Sequence, residues 1–260
     1  MSTALEQQER AGIAQRVLAP IVLGIVVVAL WQLLAGSGLV EAYLLPSPAA
    51  IGAQIVDFLP SMLSAGALTG LNALIGLVVG SLIGIGAALL ASATRLVDGM
   101  IAPIVAALAV IPIVALAPVL NTMFGADAQT GRQLIAALAS FVPVFINTAR
   151  GLRQTQAVHR DLMRAYAATP WQSMRTITLR TAAPYTFTGI RLASSLAVIS
   201  ALVAEYFGGP RGGLGGLIST SAASSAYPRA WAYVVAAIAL GLTFYLITLA
   251  LERAVSWRSS

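Results

Sequence analysis

Lysine is absent from this chain, cysteine is absent, and histidine occurs once, at His159. Each absence removes a chemistry. A P-loop needs a lysine on the nucleotide phosphates, and a Schiff-base enzyme needs the lysine amine. Without cysteine there are no disulfides, no iron–sulfur clusters and no thiolate zinc sites. One histidine cannot build a multi-histidine metal centre. Charge is also scarce: 9% of the 260 residues are charged, against about 25% in a soluble domain. What fills the chain instead is hydrophobic, 58% of all residues, with a mean hydropathy of +0.87. A compact soluble enzyme does not fit this composition. The net charge of +6 suits a nucleic-acid binder in sign, but hydropathy this high points to a membrane protein.

A helix crosses the hydrocarbon with about 20 mostly apolar residues. Six such stretches are expected, forming an all-α domain over residues 17–251. A polar segment, 1–16, precedes it and a tail, 252–260, follows. The first span is Val17–Gly36, with Trp31 near an interface. A signal peptide competes for this stretch, but no small-residue cleavage site follows it, so an uncleaved span is expected. A polar, turn-rich stretch with Glu41, Pro46, Pro48, Asp57 and Pro60 comes next. The second span is Gly66–Ser92, and Arg95 and Asp98 mark a short loop. The third, Met100–Phe124, holds Pro103, Pro112 and Pro118, so it is expected to be bent or broken within a bundle. Asp127, Gln129 and Arg132 are read as a loop. The fourth span is Gln133–Arg150, the fifth Pro184–Tyr206 and the sixth Ala230–Leu251.

Arginine sets the orientation, since all 15 basic residues are Arg. With the N-terminus inside, the inner set is Arg10, Arg16, Arg95, Arg150, Arg153, Arg160, Arg164, Arg175, Arg180, Arg253 and Arg258. The outer set is Arg132, Arg211 and Arg229; Arg191 lies in the inner half of span five. Eleven against three places both termini in the cytoplasm. Gly76, Gly80 and Gly84 share one helix face, where small residues admit a neighbouring helix.

The long loop 153–181 is on the inside. Leu162, Ala165 and Tyr166 have helical spacing for a short amphipathic helix, ended at Thr169-Pro170. Trp171, Met174, Ile177 and Thr178 predict a second helical piece. An apolar face with Arg opposite suits docking on a cytoplasmic partner; a helix lying at lipid headgroups is the alternative.

This loop resembles the cytoplasmic signature of binding-protein-dependent ABC importer permeases: Glu-Ala-Ala, three residues, Gly, nine residues, Ile-x-Leu-Pro. The spacing is matched. Asp161 stands at the Glu position, Ala167 at the Gly position, and Ile177-Thr178-Leu179-Arg180 at the end. Leu162, Met163, Ala167 and Arg180 depart from it. Ala167 would be strained if that position needed a positive φ; a helix running on through Ala167 is the milder alternative. Leu45-Pro46-Ser47-Pro48, Ala115-Leu116-Ala117-Pro118, Phe141-Val142-Pro143, Thr188-Gly189-Ile190-Arg191 and Ala204-Glu205 are similar to the nitrate, sulfonate, taurine and thiamine-precursor branch. Asn72 stands where those proteins often carry Arg.

The resemblance implies a six-helix permease of the bacterial inner membrane, not an enzyme, working with cytoplasmic ABC ATPase subunits that bind the ATP. It further implies a second permease copy or paralogue and an extracytoplasmic substrate-binding protein. No cofactor, metal or nucleic acid is expected in this chain. The ATPase-coupling loop would comprise Asp161, Leu162, Arg164, Ala165, Tyr166, Ala167, Ala168, Thr169 and Trp171. Glu205 either lines or gates the outer mouth, or pairs with an Arg or caps backbone groups. Asn121 and Asn147 are assigned to interhelical hydrogen bonds, with a pore-lining role as the alternative. The Gly208–Gly216 run could be mistaken for a phosphate-binding loop, but it has no Lys, no preceding strand and an outer position, so a flexible outer loop near the binding-protein dock is expected instead. His159 is read as a solvated loop residue. Ala204–Gly209 and Tyr227–Trp231 look most like permeases for pyrimidine thiamine precursors or riboflavin-like heterocycles, with sulfonate, taurine or nitrate as the alternative. A stand-alone secondary transporter or channel is the other class, but neither an internal repeat nor a midplane carboxylate supports it.

Overall fold

The computed structural model describes residues 2–41, 43–125, 128–208 and 212–256. Asp127, Arg211 and Arg258 lie outside them. The described residues are helices and connecting turns. In order these are α1 (Ser2–Gly36), α2 (Pro48–Asp57), α3 (Leu59–Ala93), α4 (Arg95–Ala109), α5 (Ile113–Phe124) and α6 (Thr130–Arg153). They are followed by α7 (Ala157–Ala165), α8 (Pro170–Ser173), a π-helical turn (Met174–Thr178), α9 (Leu179–Phe207), α10 (Leu214–Ala223) and α11 (Tyr227–Ser256).

Five helices are long and apolar enough to cross a membrane, over Leu18–Gly36, Leu59–Ala93, Thr130–Arg153, Pro170–Phe207 and Tyr227–Val255. The third expected span is two helices. Pro112 has no N–H to continue α4 and its ring would strike the preceding turn. The chain therefore stops at Ala109, closes with Val110 N–H on the Ala107 carbonyl, and restarts at Ile113. At 1.5 Å per residue α4 spans about 22 Å and α5 about 18 Å, so neither alone reaches across ~30 Å of hydrocarbon. Pro103 and Pro118 stay inside α4 and α5.

The core is α3, α6 and α9. α6 packs along α9 and α3, and α11 covers the far side of α9. Close approach is possible because the seam is made of small residues. Ala73, Ala136, Ala193, Ala197 and Ala201 are buried there. The glycine face of α3 meets α6 as expected: a Cβ on Gly84 would stand 3.0 Å from the Phe141 carbonyl oxygen. On the α6–α9 seam, a Cβ on Gly151 would stand 2.9 Å from Ala182 Cα, and one on Gly189 3.0 Å from the Pro143 oxygen. α1 is peripheral. None of its described side chains is buried; Trp31 touches Trp231 edge-on and Gln32 accepts the Ala49 N–H.

Several boundaries differ from expectation; among them, the second span starts early at Leu59, and the Leu214–Gly216 end of the expected outer loop is the buried first turn of α10. The turn-rich stretch 41–60 contains α2, started by Ser47, whose hydroxyl accepts the Ala50 N–H. The fifth span starts earlier: α8 and the π-helical turn run directly into α9, so the loop closes near Thr169. The expected tail is helical through Ser256, because Glu252 is tied back into the bundle by Arg191 and Thr188 of α9. Finally, α6 starts at Thr130, which turns the expected loop residue Arg132 into a buried helix residue with no exposed surface.

Candidate functional site

Two places hold the residues singled out above, at opposite ends of α9. At one end is α7 with the turn that follows it. Asp161, Leu162, Arg164 and Ala165 lie on α7, which has no buried residue. Asp161 and Arg164 form an exposed pair at 3.1 Å. Leu162 is 49% exposed, Tyr166 76% and Trp171 69%, so the apolar face expected to seek a partner is bare.

The helix ends at Ala165, four residues before the expected Thr169-Pro170 stop. Ala167 takes a φ of +50°, so the helix does not run on through it. The Ala167 N–H donates to the Arg164 carbonyl at 2.9 Å and the Ala168 N–H to the Met163 carbonyl at 3.0 Å. This pair of bonds satisfies the last carbonyls of the helix and is usually built on glycine, which has no Cβ to object. Alanine holds the same geometry at a cost of roughly 1 kcal/mol. Thr169 then begins α8 with a reciprocal cap: its hydroxyl accepts the Gln172 N–H, and Gln172 accepts the Thr169 N–H.

At the other end lies a buried polar cluster around Glu205, which has no exposed surface. Its Oε2 accepts from the Thr69 hydroxyl at 2.8 Å and from the Gly215 N–H at 3.1 Å. Asn72 Nδ2 stands 3.5 Å from Oε1 and donates to Gln129 Oε1 at 2.8 Å. Gln129 Oε1 also accepts from Arg132 at 2.9 Å, and Gln133 donates to Asn72 Oδ1 at 3.2 Å. Arg132 is near enough to act on Glu205 electrostatically. An isolated charge would be expensive in this apolar bundle, and the cluster supplies both a cation and hydrogen bonds. From sequence, Gln129 and Arg132 read only as loop residues and Gln133 only as the start of a span, and nothing marks Thr69 as a partner of Glu205. The available signal was Thr69 and Asn72, polar residues three apart on the face that continues into Gly76 and Gly80.

The two asparagines do not make the interhelical hydrogen bonds expected of them. Asn121 of α5 is buried against Gly131 and Gly208, and its amide has no hydrogen-bond partner among the described residues. Asn147 donates to the Pro143 carbonyl one turn back on its own helix, at 2.8 Å. It also lines a cavity of about 440 Å³ at the break between α4 and α5, with Leu108, Ile111, Leu116, Pro143 and Leu196. A second missed constellation joins α9 to α11. Arg191 pairs with Glu252, donates to the Tyr245 hydroxyl at 2.9 Å, and lies 5.5 Å from that ring's centre. Among the described residues no group of His, Cys, Asp and Glu could hold a metal ion.

Five membrane-length helices, a shorter pair broken beside a cavity and an exposed amphipathic helix at one end make this a multi-pass membrane bundle. The chain belongs to the family described as binding-protein-dependent transport system inner membrane component, whose model matches residues 76–257. It is 29% identical over 230 residues to a probable ABC transporter permease protein of Haemophilus influenzae, covering 88% of this chain and 93% of that one. It is 34% identical over 167 residues to a riboflavin transport system permease protein of Chloroflexus aurantiacus, covering 64% and 62%. Other relatives carry names of formylaminopyrimidine, aliphatic sulfonate, bicarbonate and nitrate transport. The fold matches the crystal structure of an amino acid ABC transporter with a TM-score of 0.64 at 14% identity, covering 77% of this chain and 96% of that one. The family and these relatives are transport permeases, not enzymes.

Proposed function

We propose that this chain is the membrane-spanning subunit of an ATP-driven importer, moved through Asp161–Trp171 by a separate cytoplasmic ATPase. The observation that carries the reading is a run of bare apolar side chains, Val158 and Leu162 on α7, Tyr166 at its C-terminal cap and Trp171 on α8, on either side of the sharp turn at Ala167. A short apolar-faced helix of this kind fits a groove on another protein. The ATP is bound by that partner, since this chain has no lysine for a P-loop. ATP binding would bring two such helices together, one from each of two permease copies, and switch the spans between two states. The excess of Arg around this loop supports a cytoplasmic position in the bacterial inner membrane for it and for both termini. An extracytoplasmic binding protein would deliver solute at the opposite end.

The path is assigned to the cavity at the α4–α5 break, where Asn147 supplies a polar group. The cargo is assigned to small organic heterocycles, pyrimidine thiamine precursors or flavins, in keeping with the riboflavin permease relative and the formylaminopyrimidine one.

The test of the coupling loop is Asp161→Arg, Ala165→Trp and Tyr166→Asp in the assembled complex. The expected result is a chain that inserts normally but no longer retains ATPase subunits or supports uptake. Retention and uptake together would overturn the assignment. Uptake of labelled riboflavin, formylaminopyrimidine and an alkyl sulfonate tests the cargo; transport of the sulfonate alone would overturn the heterocycle reading.

A further inference from the structure

We propose that Glu205, together with Thr69, is the positioning residue that clamps α10 onto α3 and α9, so that this short helix moves only with the bundle and never as a free flap. α10 has 10 residues and is too short to cross a membrane, so packing and its ends must fix its place. Its C-terminal end is closed by Ser225 at a φ of +59°, with Ala226 N–H donating to the Ser221 carbonyl, immediately before α11. Its N-terminal end follows glycines at positive φ, Gly212 and Gly213. That side has no backbone stiffness of its own.

What holds it is the buried acid. The first amides of a helix have no partners within it. Here the Leu214 N–H donates to the Thr69 hydroxyl oxygen at 2.9 Å, and the Gly215 N–H donates to Glu205. The Thr69 hydroxyl in turn donates to the same carboxylate, so one network joins α3, α9 and α10. A negative charge at a helix N-terminus is favourable, and Arg132 of α6 offsets it from the other side. The fit is close: a Cβ on Gly213 would collide with the Glu205 carboxyl group, and one on Gly215 would stand 2.9 Å from the Tyr206 amide nitrogen. The absence of exposed surface on Glu205 assigns it to the wall behind α10 rather than to the lining of an open path. The inference depends on the importer reading only for placing α10 at the outer mouth.

The native chain has no cysteine, so single labels can be placed without background. A spin label at Ser219→Cys, half-buried in the middle of α10, reports that helix, and one at Ala93→Cys reports the far end of α3. Both are read in the full chain in lipid nanodiscs, without substrate. Glu205→Ala is expected to raise the mobility of the Ser219 label and leave the Ala93 label unchanged. Glu205→Gln keeps an acceptor for the Gly215 amide and is expected to restore the original mobility. Should Glu205→Ala fail to insert, Thr69→Val gives the same reading through the Leu214 amide. An unchanged Ser219 label, or both labels loosening together, would overturn the proposal. Because label mobility is read apart from transport, its failure would leave the importer reading standing.

Discussion

Gly76 of α3 lies so close to Ala136 of α6 that a methyl group on it would overlap the alanine side chain and backbone. One turn along, Gly80 is as close to Ala137 and Ser140, and a turn further Gly84 is only slightly less tight against Phe141. Gly80→Ala is therefore expected to force α3 off α6, at about the 1–3 kcal/mol of an overpacked core. Gly86, on the same helix, has nothing within 4 Å of its missing Cβ. Gly86→Ala should be neutral or stabilising by up to ~1 kcal/mol, through helix propensity alone. Reversible unfolding in mixed micelles would separate the two.

Ala167→Gly should stabilise the α7 turn by roughly 1 kcal/mol, because glycine reaches a φ of +50° without a Cβ penalty. Ala167→Val should act in the opposite direction. Hydrogen exchange at the Ala167 and Ala168 amides would show slower opening in the glycine variant and faster opening in the valine one.

Arg191 and Glu252 are respectively 23% and 16% exposed at their side chains. Arg191→Leu alone leaves a mostly buried carboxylate without its cation. The loss of stability should approach the ~3–5 kcal/mol found when one partner of a fully buried pair is removed. Arg191→Leu with Glu252→Leu should recover most of it. A double-mutant cycle on the unfolding midpoint reads the coupling directly.

Asp98 and Arg153 join α4 to α6 with side chains 36% and 59% exposed. Solvent screens such a pair, so Asp98→Asn should change stability by less than ~1 kcal/mol, and less again at high salt. A larger, salt-independent loss would show that the pair fixes the α4–α6 angle.

The parts legible in the sequence were those set by local chemistry. Long apolar runs gave the spans, Pro103, Pro112 and Pro118 together pointed to a bent or broken third one, and the four-residue spacing of Gly76, Gly80 and Gly84 pointed to a helix seam. What escaped depends on the partner across the gap. Arg132 follows Gln129 in a polar stretch and reads as a loop; only the packing of α6 on Asn72 and Glu205 makes it a buried counter-charge. Glu252 sits one residue beyond the hydrophobic run and reads as a tail residue until Arg191 claims it. Ala167 carries no mark of a positive φ, since alanine is an ordinary helix former. The turn there is imposed by the bonds to Met163 and Arg164 and by the fresh start at Thr169. Asn121 and Asn147 were recognisable as polar residues in apolar helices, but their partners were not, because helical neighbours and an interhelical contact look alike in one dimension.

The interruption between α4 and α5 also constrains how the molecule sits in its solvent. Val110 is 79% exposed, and the backbone around it leaves the regular helical pattern. Hydrocarbon offers no partners for peptide groups, so irregular backbone at membrane depth survives only against protein or water. That edge of the bundle must therefore be turned away from the lipid. The Leu18–Gly36 segment of α1, with none of its side chains buried, can by contrast meet acyl chains directly. A break at one proline thus decides which part of an apolar surface must be covered and which part need not be.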